Sequence, residues 1–417
     1  MKIVSWFFSL FSLYVNSFER KVDKFFKHLK STDSIAGIRE DLLELMQENL
    51  IVLNVWLEKR FRGYQYLNKS RRRKMYANLE IIRLKFEDHC KNFPVDQTVL
   101  QEALLKKSLS FPHGDEAKIS YIFQIMDFLK PGLYYNYIKT ASFGKLLNNP
   151  DKERLEGDCN QIVTFYMYFY SLKFPIEDLK IKLLSGHVCL HFRDIDIEAT
   201  NAQFEKYKDF EHLLPATEII STNLLDLADF REEAQKISPR DVVKSSQLAY
   251  AISSLKSVVS KNLDTAYHNL AMSAIRGKDF ETAIFYLQKT GDSKVLSDVY
   301  KNAAVYYMDQ HNFGKASLFA EKSHDADLQK SVKHNEGVYY YNTGKIEQAL
   351  IIFEGLGETE MKKACYGKQY NKLAAKVKGV KTMEQARKKR TIYKKMDDLA
   401  RKMGDDGLRN DLKSFLK

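Results

Sequence analysis

Hydrophobic residues recur every three or four positions along most of the chain, and this spacing predicts helices. In the region 31–111, the segments 41–46 and 79–86 each place their apolar residues on one face of a helix. This helical region carries no recognisable chemistry. No proline follows Pro239, so the rest of the chain can form almost uninterrupted helix.

The pattern changes in the region 112–238, where five prolines break the chain into short pieces. Residues 179–184, 187–192 and 194–200 alternate between apolar and polar positions, which is typical of half-buried strands. The sequence therefore predicts a mainly α protein with one α+β insert, set between an N-terminal helical region and a C-terminal helical array.

The helical pattern of residues 239–378 repeats at a constant spacing, as the evenly spaced Asn269, Asn302 and Asn335 illustrate (302 − 269 = 335 − 302 = 33). Small residues that face each other at such a period predict stacked helical hairpins, here three repeats. We expect the asparagines to make core and turn contacts first and to line a binding groove second. A generic helical bundle with accidental spacing is the alternative. The same period separates Phe280, Phe313 and Ile346, then Ala283, Ala316 and Ala349, and finally Ala271, Ala304 and Gly337.

Composition and charge narrow the class of protein. Among 417 residues, 44% are hydrophobic and 29% are charged, which excludes a mostly disordered chain and a polytopic membrane protein. Lys and Arg exceed Asp and Glu by 66 − 54 = 12. Residues 361–417 hold 18 basic and 6 acidic residues, so the whole excess of positive charge lies in this segment. The segment includes the predicted basic helical tail 379–417.

A basic tail can contact an anionic surface, such as acidic lipid, acidic protein or nucleic acid. Nucleic acid is not favoured, because the tail lacks the regular aromatic interleaving of a stacking platform. A plain solvated helix face is the simpler alternative. A second basic run, at 59–74, can likewise contact an anionic surface or form a plain solvated helix face.

The N-terminal segment is amphipathic. Residues 3–15 are strongly apolar, but thirteen residues are too few to span a bilayer, which takes about 20. Polar residues recur at steps of three and four from Ser5 to Asp23, which predicts an amphipathic helix within residues 1–30. Such a helix fits three readings: docking on the protein's own core, lying in a membrane surface, or serving as a signal peptide.

The four cysteines, Cys90, Cys159, Cys189 and Cys365, are far apart and form no C-x-x-C pair. In a chain of this size they suggest neither a disulfide framework nor a zinc ribbon, so we expect a reducing compartment and a cytoplasmic protein. Phosphate-binding glycine loops, dinucleotide fingerprints and the serine-hydrolase elbow G-x-S-x-G are absent from the sequence. Nucleotide-driven and serine-hydrolase chemistry therefore lack support.

The densest chemical signal is Gly157-Asp158-Cys159, which precedes an apolar run over 162–172. That run has the length of a helix and contains no proline or glycine, so Cys159 is predicted at a helix N-terminus. Unpaired amide groups and the helix dipole at this position stabilise a thiolate, the form of cysteine that attacks a carbonyl carbon.

Three groups at this helix start are candidate donors to an oxyanion. The backbone N–H of Cys159 is the safest of them. Asn160 and Gln161 can also donate from their side-chain amides, but capping the helix is an equally good role for both.

A cysteine nucleophile needs a base, and His187 lies 28 residues downstream of Cys159 at the head of an apolar strand. Glu198, on the next strand, can orient the imidazole and stabilise its charged form. Asp194 and Asp196 lie on the same strand face and are rivals for this role. A helix and two adjacent strands can bring these groups to one point.

Other readings of the same residues stay open. Cys159 also fits an inert buried thiol, and His187 and Glu198 also fit structural roles. His191 and Cys189 share a strand face with His187 and would permit a metal site with the thiol. Two ligands two residues apart on a strand are a weak zinc signal, so we expect neither a metal nor a cofactor.

These residues resemble the transglutaminase-like superfamily, in its papain-like cysteine branch. In that family a G-x-C motif opens a helix, a His motif opens a strand and a D-P-T motif ends the next strand. The matching residues here are Gly157-Asp158-Cys159, His187-Val188-Cys189 and Glu198-Ala199-Thr200. The resemblance covers 155–205 firmly and 112–235 loosely, with Glu198 in place of the aspartate and Ala199 in place of the proline.

The helical repeats resemble the tetratricopeptide repeat. The usual closing proline is missing, and the period is slightly shorter than the usual length of about 34 residues. Together the two resemblances indicate an architecture typical of bacterial proteins, in which a transglutaminase-like domain precedes the repeats. The matching small and aromatic positions are Ala304, Tyr307 and Ala316, and again Gly337, Tyr340 and Ala349.

The resemblances imply a cysteine protease, amidase or transamidase with Cys159, His187 and Glu198 as its catalytic triad, and we expect hydrolysis of an amide or peptide bond. They also imply that the repeats recruit a protein or peptide partner. The alternative is a non-catalytic interaction scaffold in which the repeats carry the function, either in the cytoplasm or on a membrane surface contacted by the N-terminal helix.

Overall fold

The protein is mainly helical, with a small antiparallel sheet inserted in the middle, as the pattern of apolar positions predicts. The computed structural model describes residues 12–29, 34–140, 142–226 and 237–416. These residues form two compact units, Met1–Leu270 and Ala271–Lys417.

The first unit is built from nine helices in the part of the chain that the structure describes. Its central element is α6, whose residues from Gln161 to Ser171 are all buried. The other helices pack around it through apolar side chains. The helices are α1 Ser17–His28, α2 Ile35–Arg60, α3 Lys69–Asn92, α4 Gln97–Leu105, α5 Glu116–Leu129, α6 Cys159–Ser171, α7 Glu218–Leu225, α8 Pro239–Ile252 and α9 Lys256–Arg276, the last of which runs into the second unit.

Two sheets lie between these helices. The larger one is antiparallel throughout, with the strand order β6-β5-β4-β3-β7, and the smaller one pairs β1 with β2 in parallel. The three predicted strands are present as β3, β4 and β5, whereas the other four carried no recognised signal. The strands are β1 Tyr135–Tyr137, β2 Leu155–Gly157, β3 Lys180–Leu184, β4 His187–Phe192, β5 Ile195–Glu198, β6 Gln203–Glu205 and β7 His212–Pro215.

The larger sheet has one apolar and one polar face. Val188, Leu190 and Phe192 alternate along β4 and join the hydrophobic core, where β4 packs against α6. Successive side chains of a strand point to opposite faces, so His187 and His191 belong to the other face. The ionisable side chains of β3, β4 and β5 therefore share this second face of the sheet.

The helix α1 docks on the protein's own core. It begins at Ser17 because the Asn16 side chain accepts a hydrogen bond from the Glu19 backbone N–H at 2.9 Å and caps the helix. Phe18 and Val22 are buried, and so is Glu19, whose carboxylate lies 2.7 Å from Arg72 Nε.

Among the described residues of this segment, the predicted amphipathic helix is present as α1, and its polar stripe is partly buried. Residues 1–11, the most apolar part of the segment, lie outside the described residues. Within the described ranges, no helix combines the length and apolar character needed to cross a bilayer.

In the described part of the second unit, six helices form hairpins that recur at the period of the sequence repeat, and three further helices follow them. The helices α10, α12 and α14 start at Phe280, Phe313 and Ile346, and the helices α11, α13 and α15 start at 293, 326 and 359. The periodicity seen in the sequence is thus a periodicity of helices. The helices are α10 Phe280–Thr290, α11 Ser293–Asp309, α12 Phe313–Lys322, α13 Ala326–Asn342, α14 Ile346–Gly355, α15 Thr359–Val377, α16 Met383–Lys388, α17 Arg390–Met403 and α18 Asp406–Leu416.

Small residues allow the hairpins to pack closely. Ala304 and Ala316 are fully buried where α11 meets α12. At the equivalent place in the next hairpin, a Cβ atom added to Gly337 would lie 2.7 Å from the Phe353 ring. The glycine is required here because α13 and α14 leave no room for a methyl group.

Contacts between a basic and an acidic side chain recur at equivalent positions along the array. Lys301 Nζ lies 2.9 Å from Asp325, and His334 Nδ1 lies 2.8 Å from Glu358. Each pair joins residues 24 apart, and the acidic partner is the N-cap residue of the next long helix. We refer to these two pairs as the rungs of the array.

Candidate active site

Cys159 is the first residue of the buried helix α6. Asp158 caps this helix, because its carboxylate accepts hydrogen bonds from the backbone N–H groups of Asn160 at 2.9 Å and Gln161 at 3.4 Å. In return, the Gln161 side chain accepts a hydrogen bond from the Asp158 backbone N–H at 3.0 Å. This capping box fixes the start of the helix at the half-buried cysteine.

The helix start offers an open donor for an oxyanion. Among the described residues, none accepts a hydrogen bond from the Cys159 backbone N–H. Both polar atoms of the Gln161 side-chain amide are already hydrogen-bonded, since its nitrogen donates to Asp226 Oδ2 at 3.2 Å. Gln161 therefore acts as a helix cap, while Asn160 is half-buried next to the cysteine.

His187 and Glu198 meet across two neighbouring strands. His187 opens β4 and Glu198 ends β5, and these strands pair antiparallel. The distance from His187 Nε2 to Glu198 Oε2 is 2.7 Å. Glu198 is buried, whereas the His187 side chain is 28% exposed. The carboxylate can thus orient an imidazole that solvent and substrate can still reach.

The Cys159 thiol lies close enough to the His187 ring to affect the pKa of that ring. Because Nε2 contacts Glu198, Nδ1 is the ring nitrogen left for the thiol. The hydrogen bond with Cys159 and then that with Glu198 raise the pKa of His187 to about 10, against the opposing effect of burial. The three side chains form one series in which a charged imidazole can stabilise a thiolate.

Glu198 accepts further hydrogen bonds from two residues that sequence reasoning missed. The Thr200 hydroxyl donates to Oε1 at 2.5 Å, and the Tyr207 hydroxyl donates to Oε2 at 2.9 Å. Burial raises the pKa of Glu198, but the hydrogen bonds it accepts outweigh burial and hold the pKa below its ordinary value. Thr200 could have been found from its position two residues after Glu198, whereas nothing in the sequence marks Tyr207.

Asp158 lies beside a second carboxylate. Burial first, and then the nearby charge of Asp226, raise the pKa of Asp158 to about 8. The folded chain therefore holds a proton here that the unfolded chain releases near the ordinary value of 3.8. Stability must fall as pH rises through that window, because the native state binds more protons than the unfolded state.

A second histidine–carboxylate cluster lies on the same two strands. His191 Nδ1 lies 2.7 Å from Asp196 Oδ1, and Lys182 Nζ lies 2.7 Å from the same oxygen. Burial raises the pKa of Asp196, but the hydrogen bonds from this cluster lower it overall. Asp194 is exposed. Of the three carboxylates considered on this strand, the structure brings Glu198 to the candidate site.

The polar face of the sheet also carries Cys189. It is buried, and burial raises the pKa of its thiol. A thiol that holds its proton is a poor metal ligand. Within the described part of the chain, no group of three or more histidine, cysteine or carboxylate side chains has the arrangement of a metal site.

The repeat asparagines lie at the surface. Asn269, Asn302 and Asn335 are exposed on α9, α11 and α13. The expectation of core contacts is corrected, because the buried positions of these helices are taken by apolar neighbours such as Ala303. Asn335 donates to the Ser331 backbone carbonyl of its own helix at 2.8 Å.

The first unit thus carries a half-buried cysteine at a helix start, with a histidine and a buried glutamate in line behind it. A histidine–aspartate–lysine cluster lies on the same sheet face. No protein-family model matches this chain, and no curated protein matches it either.

Proposed function

We propose that the chain is a cysteine-dependent acyl-transfer enzyme of the transglutaminase-like type, whose papain-like α+β domain spans 112–238. The His187–Glu198 hydrogen bond, with Cys159 close enough to His187 to raise the pKa of its ring, is the observation that carries the proposal. A thiol at a helix N-terminus, an imidazole beside it and an ionised carboxylate behind it are the groups that thiol acyl chemistry requires. Glutamate suits the third position, since it reaches the imidazole at 2.7 Å.

The proposed reaction begins at the Cys159 thiolate. Its sulfur forms a bond to the carbonyl carbon of an amide, and the carbonyl electron pair moves onto oxygen. The Cys159 backbone N–H stabilises that oxyanion. The oxyanion then collapses, the C–N bond breaks, and the His187 imidazolium gives its proton to the departing amine. A thioester acyl-enzyme is left.

Hydrolysis completes the proposed cycle. Neutral His187 takes a proton from water as the water oxygen attacks the thioester carbon, while Glu198 stabilises the imidazolium that forms. The tetrahedral intermediate then collapses and its C–S bond breaks, so the carboxylic acid leaves and the Cys159 thiolate is restored beside the His187 imidazolium. An amine in place of water would give transamidation. We favour hydrolysis, because transamidation requires a binding site for a second substrate.

The pH dependence of cysteine alkylation by iodoacetamide tests the proposal, with each cysteine read by peptide mass spectrometry. The thiolate is the form that reacts, so Cys159 should be labelled rapidly near pH 6. His187→Ala should slow that labelling by about tenfold or more, because the thiolate loses its imidazolium partner.

The other cysteines serve as internal controls. Burial raises the pKa of Cys90 to about 11 and also raises the pKa values of Cys189 and Cys365. All three should stay unlabelled near pH 6 in the folded protein. Equally slow labelling of Cys159 in the wild type and in His187→Ala would overturn the enzymatic proposal.

The second unit favours a further function in recruiting a protein or peptide partner. Phe285, Leu318 and Ile351 occupy the same position in three successive hairpins, and their exposed fractions are 54%, 47% and 69%. A row of exposed apolar side chains at a regular period is typical of a protein interface. In the alternative without catalysis, this row carries the whole function.

Substitution separates the two functions. A scaffold keeps its function after Cys159→Ala, whereas an enzyme loses it. A scaffold loses its function when the apolar row is made polar by Phe285→Ser, Leu318→Ser and Ile351→Ser. Rescue of a strain that lacks the protein is a suitable measurement for both variants.

We place the chain in the cytoplasm, with membrane-surface contact through the N-terminal segment as a secondary role. The free state of all four cysteines supports a reducing compartment. Membrane contact would fall to residues 1–11, since α1 itself is docked on the core. Binding to anionic vesicles that is unchanged by removal of residues 1–11 would rule out this role.

A further inference from the structure

A groove of about 600 Å³ lies between α15 and α17, which pack against each other in the second unit. Each helix lines it with one face, since the lining positions of both helices follow steps of three and four residues. Leu373 from α15 and Leu399 from α17 contribute apolar surface, and Leu399 is only 8% exposed. The groove is therefore concave and partly apolar.

Lysines dominate the charge of this groove. Lys372 and Lys376 line it from α15, and Lys394 and Lys395 line it from α17. All four side chains are exposed. None of them forms an ion pair with a carboxylate in the part of the chain that the structure describes. Their charges are therefore available to a ligand.

The two acidic residues of the groove do not cancel this charge. Glu347 and Asp398 leave a net charge of 4 − 2 = +2. Asp398 is already engaged by Lys402 and Arg401, whose hydrogen bonds lower its pKa. Like charges one helical turn apart destabilise a helix. An anionic ligand bound between the lysines would reduce the repulsion between their charges and would therefore stabilise the second unit.

We propose that this groove binds an acidic segment of a partner polypeptide, one that combines several carboxylates with apolar side chains. The carboxylates would pair with the lysines, and the apolar side chains would cover Leu373 and Leu399. The inference rests on the partner-recruiting role proposed above, gives that partner's chemistry, and does not depend on Cys159.

Two other anionic partners fit the groove less well. Single-stranded nucleic acid is bound by stacking bases on aromatic side chains, and none of the side chains that line the groove is aromatic. A planar lipid surface would meet the exposed lysines but would not reach leucines inside a concave groove. An extended or helical peptide can meet both kinds of side chain at once.

Fluorescence anisotropy of a short, fluorescein-labelled, glutamate-rich peptide with two leucines tests the proposal. The peptide is titrated with the full-length chain carrying Cys159→Ala, so that the proposed chemistry cannot destroy the probe. Reversal of the four lysine charges should weaken binding by about tenfold or more, as expected for the loss of four exposed ion pairs. The variant is Lys372→Glu, Lys376→Glu, Lys394→Glu and Lys395→Glu.

A matched control makes the same change in net charge outside the groove. It should bind the peptide within about twofold of the unaltered groove, because exposed charges that do not line the groove form no ion pair with the peptide and are screened at physiological salt. A parallel glutamine variant of the groove lysines, checked by circular dichroism, guards against loss of fold. The control is Lys294→Glu, Lys330→Glu, Lys381→Glu and Lys413→Glu, all exposed positions of the same unit.

Three outcomes would show that the proposal is wrong. In the first, the peptide does not bind the unaltered groove. In the second, the groove variant and the control variant weaken binding equally. In the third, single-stranded DNA or phosphatidylserine vesicles bind through the groove lysines more tightly than the peptide does. None of these outcomes changes the labelling of Cys159, so this proposal and the enzymatic one fail separately.

Discussion

In the proposed transglutaminase-like enzyme, Glu198 takes the place of an aspartate, and its longer side chain has to be held in place. His187, Thr200 and Tyr207 each contribute a hydrogen bond to its carboxylate. Such contacts from neighbouring side chains fix the orientation of a group that would otherwise sample several rotamers. Tyr207 is therefore a positioning residue for the His187 imidazole in the proposed enzyme.

Tyr207→Phe should move the acid limb of Cys159 alkylation, which is the fall in the labelling rate at low pH, to higher pH. The Tyr207 hydroxyl donates to the ionised form of Glu198 and so contributes to its lowered pKa. Without this donor the carboxylate takes up a proton at higher pH, by about half a unit to one unit, and the imidazolium loses its support there. The measurement is the pH profile of iodoacetamide labelling.

Tyr170→Phe is the matched control, because the Tyr170 hydroxyl donates to the Asp178 carboxylate at 2.9 Å, away from the candidate site. It removes the same kind of hydrogen bond and should leave the acid limb in place. An acid limb that stays unchanged in Tyr207→Phe, or that moves in both variants, would contradict the positioning role.

The candidate site could be predicted from the sequence to the extent that its residues open or close a regular element. Cys159 precedes a long apolar run, and His187 and Glu198 bound short alternating segments. The structure brings these three together, while their chemistry stays a prediction. Tyr207 could not be found, because it follows the three-residue strand β6 and reaches Glu198 only through the pairing of β5 with β6.

At the scale of elements, the close approach of α13 to α14 depends on one residue, Gly337, which has no side-chain methyl group. A Cβ atom on Gly337 would lie 2.7 Å from the Phe353 ring and 3.2 Å from Ile352 Cγ2. Phe353 is fully buried, so its ring has no free space into which to move. The crossing of these two helices is set by the glycine.

Gly337→Ala should destabilise the second unit by about 1 kcal/mol or more. Overpacking a filled interface costs about 1–3 kcal/mol, which exceeds the gain of up to about 1 kcal/mol from replacing glycine within a helix. Gly367 in α15 provides the control, since a Cβ atom there would lie 3.6 Å from Met403 Sδ in ordinary contact. Gly367→Ala should therefore be neutral or stabilising. Thermal melting of both variants decides, and equal melting temperatures would be evidence against a tight α13–α14 contact.

The elements themselves were predictable where a regular pattern extends over several turns or strand residues. The helices α10–α15 repeat with one and the same period in the sequence and in the structure. The strands β6 and β7 could not be predicted, because a strand of three or four residues is too short to show a clear alternation of apolar and polar residues. The start of α1 was missed because the Asn16 cap, and not hydrophobicity, decides where that helix begins.

At the scale of the whole molecule, charge is divided unequally along the chain. Residues 1–360 hold 66 − 18 = 48 basic and 54 − 6 = 48 acidic residues, whereas residues 361–417 carry the entire excess of 12. Composition reveals this division directly. It cannot reveal that four of these lysines line one groove, because the lysines of α15 and α17 meet only when the two helices pack.

Mutual repulsion of these lysines predicts a salt-dependent stability. The screening length falls from about 30 Å at 0.01 M salt to about 3 Å at 1 M salt. Replacing the four groove lysines by glutamine should raise the melting temperature of the second unit by a few degrees at low salt and by almost nothing at high salt. Calorimetry at both salt concentrations checks this. A gain that persists at high salt would point to a cause other than charge repulsion.

The rungs of the array have a consequence for how such a chain can grow. Lys301 and Asp325 both fall within the block 293–325, and His334 and Glu358 both fall within 326–358. Each of these equally long blocks thus contains both residues of its own rung. Tandem duplication of one block would lengthen the array without leaving an unmatched charge, so the second unit is built to be extended by whole modules.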